Sequence, residues 1–337
     1  MTHIKWGIIG PGAIANSFAQ GLAQAPSAEL VAIASRSEDR RSAFGDAHKV
    51  APEMRFSDYD AICASKDVDA IYIATPHPWH RELSLKALEA GKHVLCEKPA
   101  GMTAQEVQEI IGAASQSGCF FMEAYMYLCH PQIARGLEIL NSGEIGELCH
   151  IASRFGFAAE FDPKSRLFDK ALGGGGILDV GGYVMSFACL FAKGNPTEIE
   201  AVGRIGSSGV DETAFALLEF ENGVTADIGV AVAVDLGSYA TIYGTKGSVH
   251  FEEPWLPGSD QGHSNAKIEV TVEGKTRIEE QKHAQMLYAF EAEAASRAIL
   301  DGKTEISSPA MCWKDSLALA RTLDAWRHGV GYKLDGE

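Results

Sequence analysis

The chain has 337 residues, 46% of them hydrophobic and 22% charged, so it is neither disordered nor of low complexity and is long enough for two packed cores. Its formal net charge of −16 argues against nucleic-acid binding, which requires clustered Lys and Arg against phosphates. The N-terminus lacks the features of a secretory signal, and no run approaches 18 uninterrupted apolar residues. We therefore expect a cytoplasmic protein without a membrane span.

The cysteines are odd in number and never spaced as C-x-x-C, which predicts free thiols in a reducing compartment. Two Cys-His pairs, at 129–130 and 149–150, are the only hint of a metal site. Adjacent side chains of a strand point to opposite faces, and no second pair has metal-ligand spacing. We predict no metal. The seven cysteines are Cys63, Cys96, Cys119, Cys129, Cys149, Cys189 and Cys312.

The first part of the chain alternates strand-like and helix-like patterns. Thr103 and Glu106 form a T-x-x-E capping box, and Gly118 suits the end of the helix that follows it. Strands separated by helices predict a parallel sheet with right-handed crossovers, in which ligands bind beyond the carboxyl ends of the strands. The apolar strand-like runs are 4–9, 30–35, 69–75, 92–99 and 119–123.

A glycine turn joins the first predicted strand to the first predicted helix. Gly10, Gly12 and Ala15 fit G-x-G-x-x-G/A, the pattern that lets a dinucleotide pyrophosphate approach backbone N–H groups at a helix N-terminus. Ala13 and Ile14 would begin that helix and complete the phosphate-binding turn. A bare strand-to-helix turn also favours glycine, but the surrounding strand, helix and strand indicate a dinucleotide site.

The end of the second strand bears on the choice between NAD and NADP. In "ASRSEDRR", Ser35, Arg36 and Arg40 offer hydroxyl and guanidinium donors to a 2′-phosphate, while Glu38 and Asp39 come late for a ribose contact. NADP is favoured and NAD remains possible. The alternative is that these arginines form an ordinary solvated helix start.

The stretch "CEKPAG" places Lys98 at the end of a strand and directly before Pro99. A lysine there could point into a cleft at the nicotinamide, and the bond to proline in such a turn can be cis. Composition alone favours the alternative, a surface lysine in a loop.

Four motifs together resemble those of one oxidoreductase family. "GIIGPGAIA", "TPHPWH", "EKP" and "GGGGILDVGGY" occur in the order and spacing of the glucose-fructose oxidoreductase, inositol dehydrogenase and rhizopine-catabolism family, and the resemblance covers essentially the whole chain. Tyr183 makes the sequence similar to the branch that holds dimeric dihydrodiol dehydrogenase, xylose dehydrogenase and glucose-fructose oxidoreductase.

The resemblance implies that Lys98, Asp179 and Tyr183 face the substrate. Positions i and i+4 of a helix share a face, which agrees with placing Asp179 and Tyr183 together. Tyr183 would be the general base, Lys98 would stabilise the developing charge on the same oxygen, and Asp179 would orient the substrate or this pair. Without the family, a helix cap and a packed aromatic residue would be the preferred interpretation of Asp179 and Tyr183.

The family also implies further cofactor contacts. Thr75, Pro76 and His80 resemble the loop under the riboses, although His80 could equally pack on the sheet. Glu97 resembles a ribose contact, and Glu123 is expected near the nicotinamide, with a partner because isolated buried carboxylates are costly.

One position departs from the similar branch. Leu128 in "MYLCHPQ" stands where that branch often has Arg, which makes this wall less polar and puts a sugar phosphate or acid substrate in doubt. His130 or Arg166 could compensate, or Leu128 could simply pack.

From about residue 124 the pattern changes to consecutive strands. "ENG" indicates a hairpin turn, and the runs predict a large, open, mostly antiparallel sheet in an α+β domain. We place a Rossmann domain at 1–123 and a substrate-binding and oligomerisation domain at 124–337, and the family implies a homodimer or homotetramer formed through the sheet. The strand-like runs are 147–161, 197–205, 212–234, 239–252 and 267–280.

These features predict an NAD(P)-dependent dehydrogenase or reductase acting on CH–OH groups. The substrate would be a carbohydrate, a polyol or a cyclic diol, oxidised at a secondary alcohol or lactol carbon or formed by the reverse reduction. Two alternatives stay open: a catalytically silent nicotinamide-binding sensor or partner protein, and an enzyme that retains its cofactor and shuttles hydride between two sugars.

Overall fold

The computed structural model describes residues 2–258 and 262–337. Within these ranges the helices are α1 (Ala13–Leu22), α2 (Glu38–Ala47), α3 (Tyr59–Ala64), α4 (His80–Glu89), α5 (Ala104–Ser117), α6 (Pro131–Asn141), α7 (Gly182–Ala192), α8 (Leu287–Leu300) and α9 (Trp313–Gly329). The strands there are β1 (Ile4–Ile9), β2 (Ala28–Ala34), β3 (Arg55–Phe56), β4 (Ala70–Ile73), β5 (His93–Glu97), β6 (Phe121–Ala124), β7 (Leu148–Ala158), β8 (Pro196–Ile205), β9 (Asp211–Phe220), β10 (Thr225–Ala231), β11 (Ala233–Gly244), β12 (Gly247–Phe251), β13 (Ala266–Val272) and β14 (Lys275–Gln281).

The chain divides into two compact units. Unit 1 consists of Met1–Cys129 and Gln285–Ser316, and unit 2 consists of His130–Ala284 and Leu317–Glu337. This division differs from the predicted boundary between residues 123 and 124 in two respects. The first unit extends six residues further, and a later segment that contains α8 returns to it.

Packing between α8 and the first strand and helix explains this return. The indole Nε1 of Trp6 donates to the Ser296 hydroxyl at 2.9 Å, and both groups are buried. Gly21 of α1 lies so close to Tyr288 that a Cβ at this position would come within 2.7 Å of the Tyr288 backbone. Sequence periodicity identifies α8 as an amphipathic helix but does not reveal which of two sheets its apolar face covers.

Unit 1 contains a six-stranded, fully parallel sheet in the order β3-β2-β1-β4-β5-β6. This is the doubly wound order of the Rossmann fold, as predicted. The predicted signals around α5 are also present: the Thr103 hydroxyl accepts the Glu106 N–H, and Gly118 ends the helix with φ +67°. The two-residue β3 and the polar α2 gave no apolar periodicity and were not predicted.

Unit 2 contains an eight-stranded sheet in the order β14-β13-β12-β11-β7-β10-β9-β8. The strands are antiparallel except for β7 and β10, which pair in parallel. The largely antiparallel sheet was predicted, whereas this central parallel pair was not. One face packs under α7, where the Ser153 hydroxyl donates to the Val184 carbonyl at 3.5 Å.

The other face of this sheet carries several exposed apolar side chains. Strand register puts them all on one side, because successive residues of a strand alternate faces. We call this surface the outer face. Its exposed apolar residues include Val202, Leu217, Tyr243 and Ile278.

The described chain contains one segment, Lys170–Ala192, that is long and apolar enough to cross a membrane by length and composition, with a mean hydropathy of 1.5. However, 89% of the 18-residue stretch over which this hydropathy is averaged is buried inside the protein. It comprises the approach to α7 and α7 itself, so its apolar character is that of a core helix of unit 2.

Candidate functional site

The predicted dinucleotide turn lies between β1 and α1. Gly10 has φ +90°, and a Cβ there would meet the Ala74 carbonyl oxygen at 2.9 Å, so only glycine fits. Gly12 is the N-cap of α1 and supplies no side-chain cap, while a Cβ added to it would meet nothing within 4 Å. The uncapped N–H groups at Ala13 and Ile14 and the open space over Gly12 fit a dinucleotide pyrophosphate.

The end of β2 presents the residues predicted to select NADP. Ser35 is buried, and its carbonyl accepts a hydrogen bond from the Arg41 guanidinium at 2.7 Å. Arg36 and Arg40 are exposed, and the Arg36 guanidinium lies 5.9 Å from the centre of the Tyr59 ring. Two basic side chains and a hydroxyl group thus follow this strand, which fits a phosphate.

The acidic residues of the same stretch lie elsewhere. Glu38 and Asp39 form the first turn of α2, where their charge complements the helix dipole. They therefore have a structural explanation that requires no ribose.

The loop after β4 holds Thr75 and Pro76. The Thr75 hydroxyl is buried, and it makes no hydrogen bond within the described residues. A buried hydroxyl without a protein partner beside the Gly10 turn is available to a ligand. Thr75 therefore agrees with the cofactor contact predicted for it.

His80, at the start of α4, is fully buried and positions two loops. Its Nδ1 lies 2.8 Å from the Pro99 carbonyl oxygen, and its Nε2 lies 2.6 Å from that of Thr75. Burial lowers the pKa of the ring although both carbonyls favour the charged form. Because both ring nitrogens face protein carbonyls, His80 connects the Thr75 loop to the Pro99 loop and presents neither nitrogen to a cofactor.

Glu97 and Lys98 follow one another at the end of β5. Glu97 is buried and accepts a hydrogen bond from the Tyr72 hydroxyl, while burial and the Glu97 charge raise the pKa of Tyr72 well above its usual value. Lys98 is half-buried, and the Lys98–Pro99 peptide bond is cis, as the sequence suggested. Strand β5 thus ends at a buried Glu97 that is held by the Tyr72 hydroxyl, and Lys98 follows it in the turn.

Glu123 lies beneath this turn. Its Oε1 accepts the Ala100 N–H at 2.9 Å. Burial raises the pKa of its carboxyl to about 7, while the Ala100 N–H and the Lys98 charge favour ionisation. The partner expected for this buried carboxyl is therefore a backbone group of the Lys98 turn.

Sequence reasoning missed a further buried acid in unit 1. Glu291 of α8 is completely buried, and neither carboxyl oxygen has a hydrogen-bond partner among the described residues. Burial and the charge of Glu97 raise its pKa well above its usual value, which favours the neutral form. The α8 sequence gave no signal for this residue because its neighbourhood depends on the fold.

In unit 2, Asp179 lies in a π-helical turn, Ile177–Gly181, that leads directly into α7. The α-helical spacing assumed for Asp179 and Tyr183 is therefore only partly correct, since Asp179 precedes the α-helix. Wider turns of this kind are often found at functional sites. The Arg166 Nη1 donates to the nearly buried Asp179 Oδ1 at 2.6 Å, so an exposed guanidinium balances the carboxylate.

Tyr183 is buried among aromatic rings. The Phe155 ring is 5.3 Å away at 81°, and the Trp255 ring is 6.1 Å away at 65°. These edge-to-face contacts hold the phenol ring in one orientation. Tyr183 is thus a packed aromatic residue, and its role in proton transfer stays a prediction.

The departure at Leu128 has a packing explanation. Leu128 is buried in unit 1. Of the two residues suggested as compensating, His130 caps α6 through the Gln132 N–H and its Nε2 faces the Ser264 carbonyl at 2.8 Å. Burial lowers the pKa of His130 to about 4, so it supplies no positive charge, and Arg166 pairs with Asp179.

Across the described residues, no cluster of three or more His, Cys, Asp or Glu side chains has the arrangement of a metal site. The Cys129-His130 and Cys149-His150 pairs thus have no third ligand there. His150 instead contacts Thr225 at 2.8 Å and Asp227 at 2.9 Å on the outer face.

Two family models match the chain. Residues 4–125 match the oxidoreductase family with an NAD-binding Rossmann fold, and residues 134–250 match the GFO/IDH/MocA C-terminal domain. The mouse trans-1,2-dihydrobenzene-1,2-diol dehydrogenase is 37% identical over 257 residues, which covers 75% of this chain and 76% of that protein.

Solved structures share the fold. The 3-ketoreductase KijD10 of Actinomadura kijaniata, in complex with NADP and TDP-benzene, is 29% identical with a TM-score of 0.86 over 97% of this chain and 98% of that one. The aldose-aldose oxidoreductase of Caulobacter crescentus superimposes with a TM-score of 0.88 at 24% identity, over 97% of each chain. The chain therefore belongs to the Gfo/Idh/MocA family of oxidoreductases and carries its NAD(P)-binding Rossmann domain.

Proposed function

We propose that this protein transfers a hydride between a nicotinamide cofactor and a secondary alcohol or lactol carbon of a sugar, a polyol or a cyclic diol. The observation that carries the proposal is the combination of the uncapped Gly10 to Gly12 turn with the Lys98, Asp179 and Tyr183 set in a chain of this family. The relative from mouse is named for a diol and the neighbour KijD10 for a ketone, which supports the class of reacting group.

Nicotinamide supplies hydride acceptance or donation when bound, and the side chains manage the proton. Tyr183 takes the proton from the substrate hydroxyl in the oxidative direction, and the reverse reaction returns it. The role proposed for Lys98 is to stabilise the charge that develops on the substrate oxygen. Asp179, balanced by Arg166, orients the substrate or this pair.

The cofactor contacts proposed in unit 1 favour NADP. The 2′-phosphate would be bound by Ser35, Arg36 and Arg40, and a hydroxyl with two guanidinium groups suits its charge. NAD remains the second candidate. The dinucleotide would also contact Gly10, Gly12, Ala13, Ile14, Thr75, Pro76, Glu97 and Glu123, with His80 holding the loops beneath it.

The deciding experiment measures the reduction of NADP⁺ and, separately, NAD⁺ by the purified protein with aldoses, inositols, anhydrosugars and cyclic diols. Lys98→Met and Tyr183→Phe should each lower kcat by roughly 10²- to 10⁴-fold. Cofactor affinity should stay within about threefold. Lys314→Met, at an exposed lysine of unit 1, is the matched control and should retain full activity.

The alternatives give different results. Silence across the panel with intact cofactor binding would favour the sensor, and nicotinamide that survives purification would favour the sugar-to-sugar shuttle. A Lys98→Met variant that turns over at the wild-type rate would refute the catalytic assignment.

We also propose that the protein works as a homodimer or homotetramer formed through the outer face, in the cytoplasm. The exposed Val202, Leu217, Tyr243 and Ile278 support this, since burying such residues is favourable. Leu217→Asp should reduce the mass measured by light scattering, whereas Glu53→Gln, at an exposed glutamate of unit 1, should not. A wild-type monomer at micromolar concentration would refute the proposed assembly.

A further inference from the structure

Asp211 is a buried acid that the proposed reaction does not use. It is the first residue of β9 in unit 2, and its exposed fraction is 0%. A buried carboxyl requires compensation by hydrogen bonds or charge, so its contacts indicate what it does.

The Asp211 carboxyl binds the backbone at the start of the π-helical turn. Its Oδ2 accepts the Ile177 N–H at 2.8 Å, two residues before Asp179. Burial raises the pKa of the Asp211 carboxyl to about 7, while the Ile177 and Gly176 N–H groups favour its ionised form. These are N–H groups at the beginning of a helical segment, where negative charge is favoured. Asp211 therefore supplies the acceptor from which this segment starts.

The glycines of "LGGGGILD" leave room for this carboxyl. Gly175 has φ +105°, and a Cβ there would overlap the Asp211 Oδ1. A Cβ at Gly176 would approach Oδ2 to 3.2 Å. Gly175 is thus required both by its positive φ and by the position of the Asp211 carboxyl.

A second contact holds the same turn from the other side. The Tyr332 hydroxyl donates to the Gly174 carbonyl at 2.9 Å, and both groups are buried. Arg327 is the charged group whose field favours ionised Asp211, and it is itself paired with Asp324 and Glu337. The turn before Asp179 is thus tethered by one carboxyl and one phenol.

We infer that Asp211 is a positioning residue for the reaction proposed above, which holds the 175–177 backbone so that Asp179 and Tyr183 keep their working orientation. The inference rests on the proposed function. Asp211 and Ile177 are 34 positions apart, so strand β9 and the π-helical turn are fixed to each other by this contact.

The test compares Asp211→Asn with Asp235→Asn. Asp235 is an exposed aspartate of unit 2 whose Oδ1 likewise accepts a backbone N–H, that of Gly237 at 2.9 Å. In Asp211→Asn one acceptor oxygen becomes an NH₂ donor that faces backbone N–H groups, so kcat per cofactor-binding site should fall by about 10- to 100-fold, because small misplacements of catalytic groups are costly. The substrate KM and cofactor affinity should change less than threefold. Asp235→Asn should match the wild type.

Two further measurements separate positioning from loss of folded protein. Hydrogen exchange of the 172–183 segment should accelerate in Asp211→Asn while the β1–α1 segment stays unchanged. Tyr332→Phe removes the hydrogen bond to the Gly174 carbonyl without a charge change, so it should lower kcat by roughly two- to fivefold. This variant tests the inference if Asp211→Asn does not fold.

The outcomes distinguish this inference from the proposed function. An active wild type with unchanged kcat per site in Asp211→Asn, or unchanged kcat in Tyr332→Phe where only that variant folds, overturns the positioning role and leaves the function standing. A wild type that is silent across the panel overturns the function and with it the catalytic role given to Asp211.

Discussion

The two units hold their candidate catalytic residues in opposite ways. In unit 1 the Lys98 turn is tied by an imidazole that faces two backbone carbonyls, those of Thr75 and Pro99. In unit 2 the turn before Asp179 is tied by the Asp211 carboxyl that accepts a backbone N–H. A ring that donates protons suits a loop of free carbonyls, and a carboxylate suits the N–H groups that begin a helix.

The two tethers hold different parts of the proposed site, and the loop that His80 ties to the Lys98 turn is a proposed cofactor contact. The loops tied by His80 include Thr75 and Pro76, which we propose contact the dinucleotide. The turn tied by Asp211 leads to Asp179 and Tyr183, which we propose handle the proton. Loss of the first tether should therefore weaken cofactor affinity and also slow turnover through Lys98, whereas loss of the second should slow turnover at constant affinity.

The largest effect on cofactor affinity is expected for His80→Ala. Removing the ring takes the N–H donor of a neutral imidazole from one of the two carbonyls that it faces, at a cost of about 1–3 kcal/mol, which corresponds to a loss of roughly tenfold or more in NADP⁺ affinity. Calorimetric titration of the cofactor measures it. His80→Gln, which retains one amide donor, should lose less, and the exposed His328→Ala should lose nothing. Unchanged affinity in His80→Ala would contradict the separation of the two tethers.

A smaller effect is expected for Arg166→Ala. The Asp179 side chain is only 5% exposed and would lose the cation that balances it. We expect kcat/KM to fall roughly 5- to 30-fold with unchanged cofactor affinity, because the Asp179 carboxylate loses a charge-assisted hydrogen bond that fixes its orientation. Arg166→Lys should recover part of the loss. Arg321→Ala, at an exposed arginine of α9, should leave kcat/KM unchanged. Equal rates for Arg166→Ala and the wild type would show that the Asp179 charge needs no balance.

The two units also differ in how much of the fold and the candidate site can be predicted from the sequence. In unit 1 each strand is followed by its own helix, so apolar periodicity, the Thr103 cap and the Gly10 turn identify the sheet and the cofactor loop from local signals. In unit 2 the catalytic candidates were reached only through the resemblance to the family. The residues that position them are not local: Asp211 lies 34 positions after Ile177.

The segment around α8 shows the same limit. Its helical pattern was recognised, but its return to unit 1 depends on pairs such as Trp6 and Ser296, which are 290 positions apart. The burial of Glu291 follows from this packing and cannot be predicted from the α8 sequence. Contacts between residues so far apart in the chain produce no periodic pattern in the sequence. The sequence therefore predicts the helix but not the elements against which it packs.

The smallest effect is expected for Glu123→Gln and concerns the pH dependence of stability. The folded-state pKa of about 7 lies above the usual 4.5, so the stability contributed by the neutral carboxyl is complete below pH 4.5 and is lost as pH rises to about 7. The groups whose charge or hydrogen bonds act on this carboxyl are Lys98, Glu97, Ser316 and the Ala100 N–H.

Glutamine does not ionise but can still accept the Ala100 N–H. The variant should therefore gain relative to the wild type between pH 5 and pH 8, by roughly 2–6 °C in the melting temperature of the first transition. Thermal unfolding at four pH values measures this gain, and Glu53→Gln, at an exposed glutamate of unit 1, should run parallel to the wild type. Parallel curves for Glu123→Gln would mean that the Lys98 charge keeps the carboxyl ionised throughout. Unit 1 would then stabilise its buried acid by charge, as the Arg166 pair does for Asp179 in unit 2.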